Sequence, residues 1–233
     1  MIVAIIPARG GSKRIKKKNI REFCGQPVIA YSIKQAQASS LFDRIVVSTD
    51  DPAIADISRK LGADVPFIRP RSLSGDLVGT VDVINHGITC LEEETNTRVS
   101  FACCLYPTAP FVVVDDLREG YLRLVDSKKL FAFSVTTFAF PIQRALKIND
   151  KDELQAFWPE NIEKRSQDLE EAYHDAGQFY WGKREGFFEK KTILSSASIP
   201  IIIPRERVQD IDTEEDWCRA ESLYKVLQSM EDH

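Results

Sequence analysis

Across its first 137 residues the chain alternates short apolar runs with longer amphipathic stretches, and the connections between them are brief. The apolar runs are Ile2 to Ile6, Arg44 to Ser48, Val65 to Ile68, Ser100 to Leu105 and Phe131 to Thr136. Between them, helical patterns run from about Val28 to Ala38, Pro52 to Lys60, Thr80 to Glu93 and Asp115 to Asp126. Pro52 suits a first helical position, and Gly62 ends the second helix. Nearly continuous apolar strands joined by helices predict an α/β fold with a mostly parallel sheet covered by helices on both faces. In such sheets ligands bind outside the carboxyl ends of the strands.

The rhythm breaks from 138 to 173. Pro141, a strand-like Ala145 to Ile148, the turn Asn149 to Asp152 and a charged stretch from Glu160 to Glu171 read as an inserted, β-rich arm. Phe138, Phe140, Ile142, Leu146, Phe157 and Trp158 lie on it without an evident local core. Packing on a second subunit, giving a homodimer, and packing back on its own domain both fit that pattern. Strands return at Gly177 to Trp181 and Ile199 to Ile203, and Thr213 to Leu227 closes the chain as an amphipathic helix whose cap and acidic first turn come from Asp212 to Glu215. One domain spanning 1–233 with an inserted arm is the simplest organisation.

The first apolar run feeds a basic loop. Seven Lys or Arg fall in the thirteen positions from Arg9 to Arg21, beginning at Pro7-Ala8-Arg9-Gly10-Gly11. Gly10 and Gly11 permit positive φ, so successive N–H groups from Gly10 to Ser12 can line an anion-binding concavity. The spacing is neither GxxxxGK[ST] nor GxGxxG, which sets aside the common nucleotide-loop fingerprints. With a net charge of −4, this local basic cluster suits a small anionic ligand better than nucleic acid, which usually requires a broad basic face.

Composition narrows the classes further. Apolar residues make up 43% and charged residues 28%, as in an ordinary globular protein. No apolar run approaches the roughly 20 residues of a membrane span, and Met1 leads directly into a strand, so no membrane association and a cytoplasmic location are expected. Cys24, Cys90, Cys103, Cys104 and Cys218 contain no CxxC, and none of the three histidines pairs with them at zinc spacing. They read as reduced thiols. Asp210 and Asp212 lie two apart in an extended segment, so both carboxylates project to one side. Such a pair suits Mg2+, a hard cation that favours carboxylate and phosphate oxygens; the alternative is an acidic cap for the last helix.

The string IIPARGGSKRIKKKN (Ile5 to Asn19) resembles the signature of the sugar-acid cytidylyltransferases, the nucleotidyltransferases that make CMP-sialic acid and related activated sugars. RPRSLSGDLVGT (Arg69 to Thr80), LYPTAPF (Leu105 to Phe111) and RVQDIDTEEDW (Arg207 to Trp217) follow in the family's order. Residues 134–146 and 165–182 look closest to its pseudaminic acid branch. One departure is Lys16, where the family usually has proline; the change removes a φ restraint and adds a charge.

The resemblance implies a Rossmann-like nucleotidyltransferase sheet and transfer of CMP from CTP to the anomeric hydroxyl of a nine-carbon sugar acid, with Mg2+ on Asp210 and Asp212. It also implies a homodimer that uses the arm. Arg9, Lys13 and Lys18, with Asp212, are then the catalytic set. Ala8, Gly10, Gly11, Ser12, Asn19, Arg69 and Thr80 would contact the nucleotide, with backbone near Ala8 reading the cytosine edge. Tyr106, Arg165, Gln167, Gln178 and Tyr180 would face the sugar acid. Tyr106 stands where sialic-acid enzymes carry glutamine. The base stays open between His174 or Asp175 and a metal- or phosphate-assisted route. Arg14, Lys16, Lys17 and Arg21 read as solvated. Sialic, legionaminic or octulosonic acid as acceptor, or a non-catalytic nucleotide- or RNA-binding module, are the rival readings.

Overall fold

A computed structural model describes residues 1–231. In chain order the elements are β1 (Ile2–Pro7), β2 (Glu22–Phe23), β3 (Gln26–Pro27), α1 (Ile29–Ser39), β4 (Arg44–Ser48), α2 (Pro52–Lys60), α3 (Thr80–Thr95), β5 (Phe101–Leu105) and α4 (Val114–Val125). Then follow β6 (Phe131–Thr137), β7 (Leu146–Ile148), β8 (Leu154–Ala156), β9 (Tyr173–Lys183), α5 (Arg184–Phe188), β10 (Ser198–Ile202) and α6 (Glu214–Glu231). Six strands form one sheet in the order β10-β6-β9-β5-β1-β4. All run parallel except β9, which lies antiparallel between β5 and β6.

Alternation along the strands divides the core. Ala4, Ile6, Cys103, Leu105 and Trp181 face α1, α2 and α4, while Val3, Ile5, Cys104, Phe133 and Tyr180 face α3 and α5. Helices therefore cover both faces, and β1 is apolar throughout because both its sides are buried. The two adjacent thiols Cys103 and Cys104 are core residues on opposite faces. A third cluster seats α6 against the β2–β3 hairpin: Trp217 and Ala220 pack with Ile15, Phe23, Tyr31 and Phe111.

Several expectations change. Residues 65–68 form no strand: Pro66 lacks an N–H donor, and the edge of β4 is met instead by Asp64, whose N–H donates to the Ile45 carbonyl (2.8 Å) and whose carbonyl accepts from Val47 (2.9 Å). The strand expected at 177–181 begins at Tyr173 and is bulged. Gly177 adopts φ +63°, the register against β6 shifts between Phe133 and Val135, and the Gln178 and Phe179 N–H groups donate to Ser134 Oγ, each at 3.2 Å. The excursion after β6 contains only the short β7–β8 hairpin and three 3-10 turns, so it is less β-rich than the pattern suggested. Its turn is held by Asn149 Oδ1, which accepts from Lys151 and Glu153. No helix among the described residues is long and apolar enough to cross a membrane.

Candidate active site at the carboxyl ends of β1 and β5

A cleft of ≈ 320 Å³ opens where β1 and β5 end, and Pro7, Arg9, Lys18, Arg69, Tyr106 and Asp212 are among its walls. Its floor is the basic loop, pinned at four points. Ala8 is fully buried and donates to the Ser48 carbonyl (2.9 Å). Gly10 N–H donates to Asp50 Oδ1 (2.9 Å). The buried Asn19 amide donates to the Arg9 carbonyl (2.9 Å), and Ile15 anchors the loop's far side in the α6 cluster.

The glycines act differently from expectation. Neither Gly10 nor Gly11 has positive φ; within the loop that conformation falls to Lys17 at φ 53°. Gly10 is required by closeness, since a Cβ there would lie 2.7 Å from Asp51 Oδ2 and 2.8 Å from Asp51 Cβ, whereas a Cβ on Gly11 would meet nothing within 4 Å. The donors are partly spent as well: Gly10 N–H on Asp50, and Ser12 N–H on the Gly10 carbonyl (3.0 Å). An anion in this cleft therefore meets side-chain cations more than a backbone nest.

Those cations are paired across the cleft. Arg9 and Lys13 both donate to Asp76, the latter at 2.6 Å. Arg14 and Lys18 both reach Asp212, at 2.9 and 3.3 Å, and Lys18 Nζ also donates to the Ile211 carbonyl (2.6 Å). Arg21 forks onto Glu214 (2.7 and 2.8 Å) and covers the Trp217 ring at 4.5 Å. Arg14 and Arg21 are thus structural ties between the loop and the chain's last segment, while Lys16 and Lys17 are exposed. The helix cap is not Asp212: Thr213 Oγ1 accepts from Asp216 N–H (3.2 Å), and the Asp216 carboxylate accepts from Thr213 N–H (2.8 Å). Asp212 is left to face the cations.

Arg69 is the unusual member. It is 4% exposed, its Nη2 stands 3.9 Å from Asp50 Oδ1, and Nε and Nη2 have no hydrogen-bond partner. Burial lowers its pKa; the Asp50 charge opposes that and Arg9 adds to it. A buried guanidinium with unmet donors on a cleft wall is a ready acceptor-binding group.

Tyr106 is the aromatic member of the lining. Tyr106 OH lies 3.2 Å from Thr80 Oγ1, Tyr106 packs on Tyr180 with ring centroids 5.4 Å apart, and Tyr180 OH donates to Asp175 Oδ2 (2.6 Å). Burial is the main cause raising both phenol pKa values. Gln178 is buried, with its amide N–H on the Arg207 carbonyl (2.5 Å) and its Oε1 unpartnered.

Of the sequence candidates, Arg9, Ser12, Lys13, Lys18, Asn19, Arg69, Thr80, Tyr106 and Asp212 line the cleft. Ala8, Gly10, Gly11, Gln178, Tyr180 and Asp210 are not part of its lining, Gly11 and Asp210 being exposed. Arg165 and Gln167 are exposed on the arm; Gln167 lines a separate hollow with Phe138 and Phe140. His174 is exposed and its Nδ1 lies 2.9 Å from the Asp175 carbonyl. Sequence reasoning missed Asp50, which only follows the β4 strand, and Asp76, which lies inside the Arg69 to Thr80 motif without a signal of its own.

The cytidylyltransferase family profile matches residues 3–199. The chain is 42% identical to the pseudaminic acid cytidylyltransferase of Campylobacter jejuni subsp. jejuni serotype O:2 over 96% of each chain. It is 33% identical to the CMP-N,N'-diacetyllegionaminic acid synthase of Legionella pneumophila over 97% of each. Among solved structures, the CMP:2-keto-3-deoxy-manno-octonic acid synthetase complexed with CTP shares the fold, with a TM-score of 0.69 and 16% identity over 98% of this chain and 99% of that one. With the profile spanning most of the strands and helices that build the cleft, this chain belongs to the cytidylyltransferase family.

Proposed function

We propose that the enzyme transfers CMP from CTP to pseudaminic acid, a nine-carbon sugar acid, releasing pyrophosphate and giving CMP-pseudaminic acid. The observation that carries this reading is the convergence of Arg9, Lys13, Lys18 and the unsatisfied Arg69 on one cleft at the ends of β1 and β5. A triphosphate carries about four negative charges, and phosphoryl transfer depends chiefly on positioning and neutralising them. Arg9, Lys13 and Lys18 take that role, and Asn19 keeps the loop in shape. Arg69 and Thr80 hold the nucleoside side, with backbone near Ala8 at the base.

The anomeric hydroxyl oxygen attacks the α-phosphorus and gives up its proton to a phosphate oxygen or water, the bond from the α-phosphorus to the oxygen it shares with the β-phosphate breaks, and pyrophosphate leaves with that oxygen against the loop cations. The acid lies toward Tyr106 and Tyr180, whose hydroxyls and rings offer polar and apolar contact together. Gln178 Oε1, buried and unpartnered, is the acceptor held in reserve on that side. Arg165 and Gln167, on the arm, remain the candidates for the acid's carboxylate, which arginine binds bidentately.

Asp210 and Asp212 fit a magnesium ion. The Asp210 pKa is raised, first by partial desolvation of its carboxylate and next by the nearby Asp212 charge; a cation between the two would offset their repulsion. Among the described residues no cluster of three or more His, Cys, Asp or Glu ligands exists. The protein would therefore give two carboxylates, leaving remaining positions to phosphate oxygens and water, as Mg2+ prefers. Bound there, the ion would supply charge neutralisation for the departing pyrophosphate.

The arm supports a homodimer: Phe140, Ile148 and Leu154 on it are 67% or more exposed. The cytoplasm supplies CTP and keeps the five free thiols reduced.

The test is pyrophosphate release with CTP and Mg2+, comparing pseudaminic, sialic, legionaminic and octulosonic acids. Turnover with pseudaminic acid alone is expected. Turnover with another acid instead overturns the substrate, and silence with all four overturns the reaction.

A further inference from the structure

Asp76 is the acidic residue of the cleft that the reaction above does not use. It stands on the segment after the 3-10 turn Arg71–Leu73, and its two carboxylate oxygens are divided between Arg9 and Lys13. Those cations form no other ion pair among the described residues. Hydrogen bonds from Lys13 and Arg9 hold the Asp76 carboxyl at about 2, so it is charged throughout the working range.

The position is that of a ligand. A polyphosphate that engages Arg9 and Lys13 competes with this carboxylate for them, and an unmoved Asp76 would repel it. The pairing can be exchanged. The side chains of Arg9, Lys13 and Asp76 are 37%, 80% and 44% exposed, and ion pairs this open are each worth no more than about fivefold in an equilibrium constant. The neighbouring Leu77 is wholly exposed, so no core contact fastens the segment at its tip.

We propose that Asp76 is a displaceable counter-anion of the phosphate site: it occupies Arg9 and Lys13 in the empty enzyme, yields them to an incoming polyphosphate, and takes them back as pyrophosphate departs. Its effect is to weaken the enzyme's hold on pyrophosphate. This rests on the reading of Arg9 and Lys13 as phosphate cations.

Calorimetric titration of wild type, Asp76→Asn and Asp76→Glu with inorganic pyrophosphate tests it, alongside pyrophosphate inhibition of turnover. Asp76→Asn should bind pyrophosphate roughly three- to tenfold more tightly, with its inhibition constant falling to match, while Asp76→Glu stays near wild type. Unchanged or weaker pyrophosphate binding by Asp76→Asn overturns the proposal, because it would make Asp76 an orienter of Arg9 and Lys13. Absence of binding by wild type and Asp76→Asn alike overturns it too. Tighter binding by Asp76→Asn in a protein that turns over no sugar acid would keep the counter-anion and discard the assigned reaction.

Discussion

The Lys18 ammonium lies 3.3 Å from the Asp212 carboxylate and 2.6 Å from the carbonyl of the preceding residue, Ile211, so the first basic loop and the last loop of the chain meet at one side chain. That contact joins residues 194 apart in sequence. It places the cation proposed for the triphosphate beside the carboxylate proposed for the metal. Lys18→Met and Asp212→Asn should each reduce turnover by roughly 10²- to 10³-fold, with melting temperatures near wild type. The double variant should lose less than the product of the two, since the residues act as a unit. Strictly multiplicative losses in pyrophosphate release would show that they act separately.

Gly10 and Gly11 should behave oppositely when changed to alanine. A methyl on Gly10 runs into Asp51, which cannot easily move because its Oδ1 caps α2 by accepting from Ala53 N–H (2.7 Å). Losing that cap and straining the loop should destabilise by about 1–2 kcal/mol, or roughly 2–8 °C in Tm. Gly11→Ala meets open space and should stay within about 0.5 kcal/mol. Thermal melts of the two variants decide this, and equal shifts would contradict the close-approach account.

These two glycines also mark what the sequence conceals. The strand-loop-helix rhythm located β1, β4, β5, β6 and the cleft, because period-2 burial and short connections are written in local composition. Strand direction is not: the pattern of β9 reads equally well parallel or antiparallel, and only its bulge at Gly177, answered by Ser134 Oγ, fits it between β5 and β6. In the same way, a basic loop announces an anion site, but its internal counter-charges, Asp76 and Asp212, lie 60 or more residues away. The two-residue spacing of Asp210 and Asp212 brought Asp212 to notice. Asp76 carried no such pairing, so its role emerged only from the geometry.

Away from the cleft, Glu92 should contribute to the acid limb of stability. Arg184 forks onto it with two bonds of 2.8 Å, and Val99 N–H adds a third at 2.9 Å. The Arg184 hydrogen bond is the main cause that lowers its pKa below the ordinary 4.5. A depressed carboxylate contributes its stability above the unfolded-state value and loses it as pH falls through the folded-state value. Glu92→Gln should therefore cost about 1.5–3 kcal/mol at pH 7, and the gap to wild type should narrow as pH falls through the depressed folded-state value of Glu92. Denaturant melts across pH would show this; a gap that persists in acid would mean that shape, not charge, holds the contact.

The arm offers the last test. Phe140 is 82% exposed and Leu154 73%, and apolar groups this open on one excursion suit burial against a second copy of the chain. Sedimentation should return a mass near twice 26.4 kDa. Phe140→Asp combined with Leu154→Asp should yield monomer while leaving the sheet's melting transition in place, because neither residue belongs to the core clusters. If the acid's carboxylate is held from the arm by Arg165, the monomer should also show a higher KM for the sugar acid than for CTP, and Arg165→Ala should repeat that split without dissociating the dimer. A wild-type protein that sediments as monomer would remove the dimer and turn the arm back on its own domain.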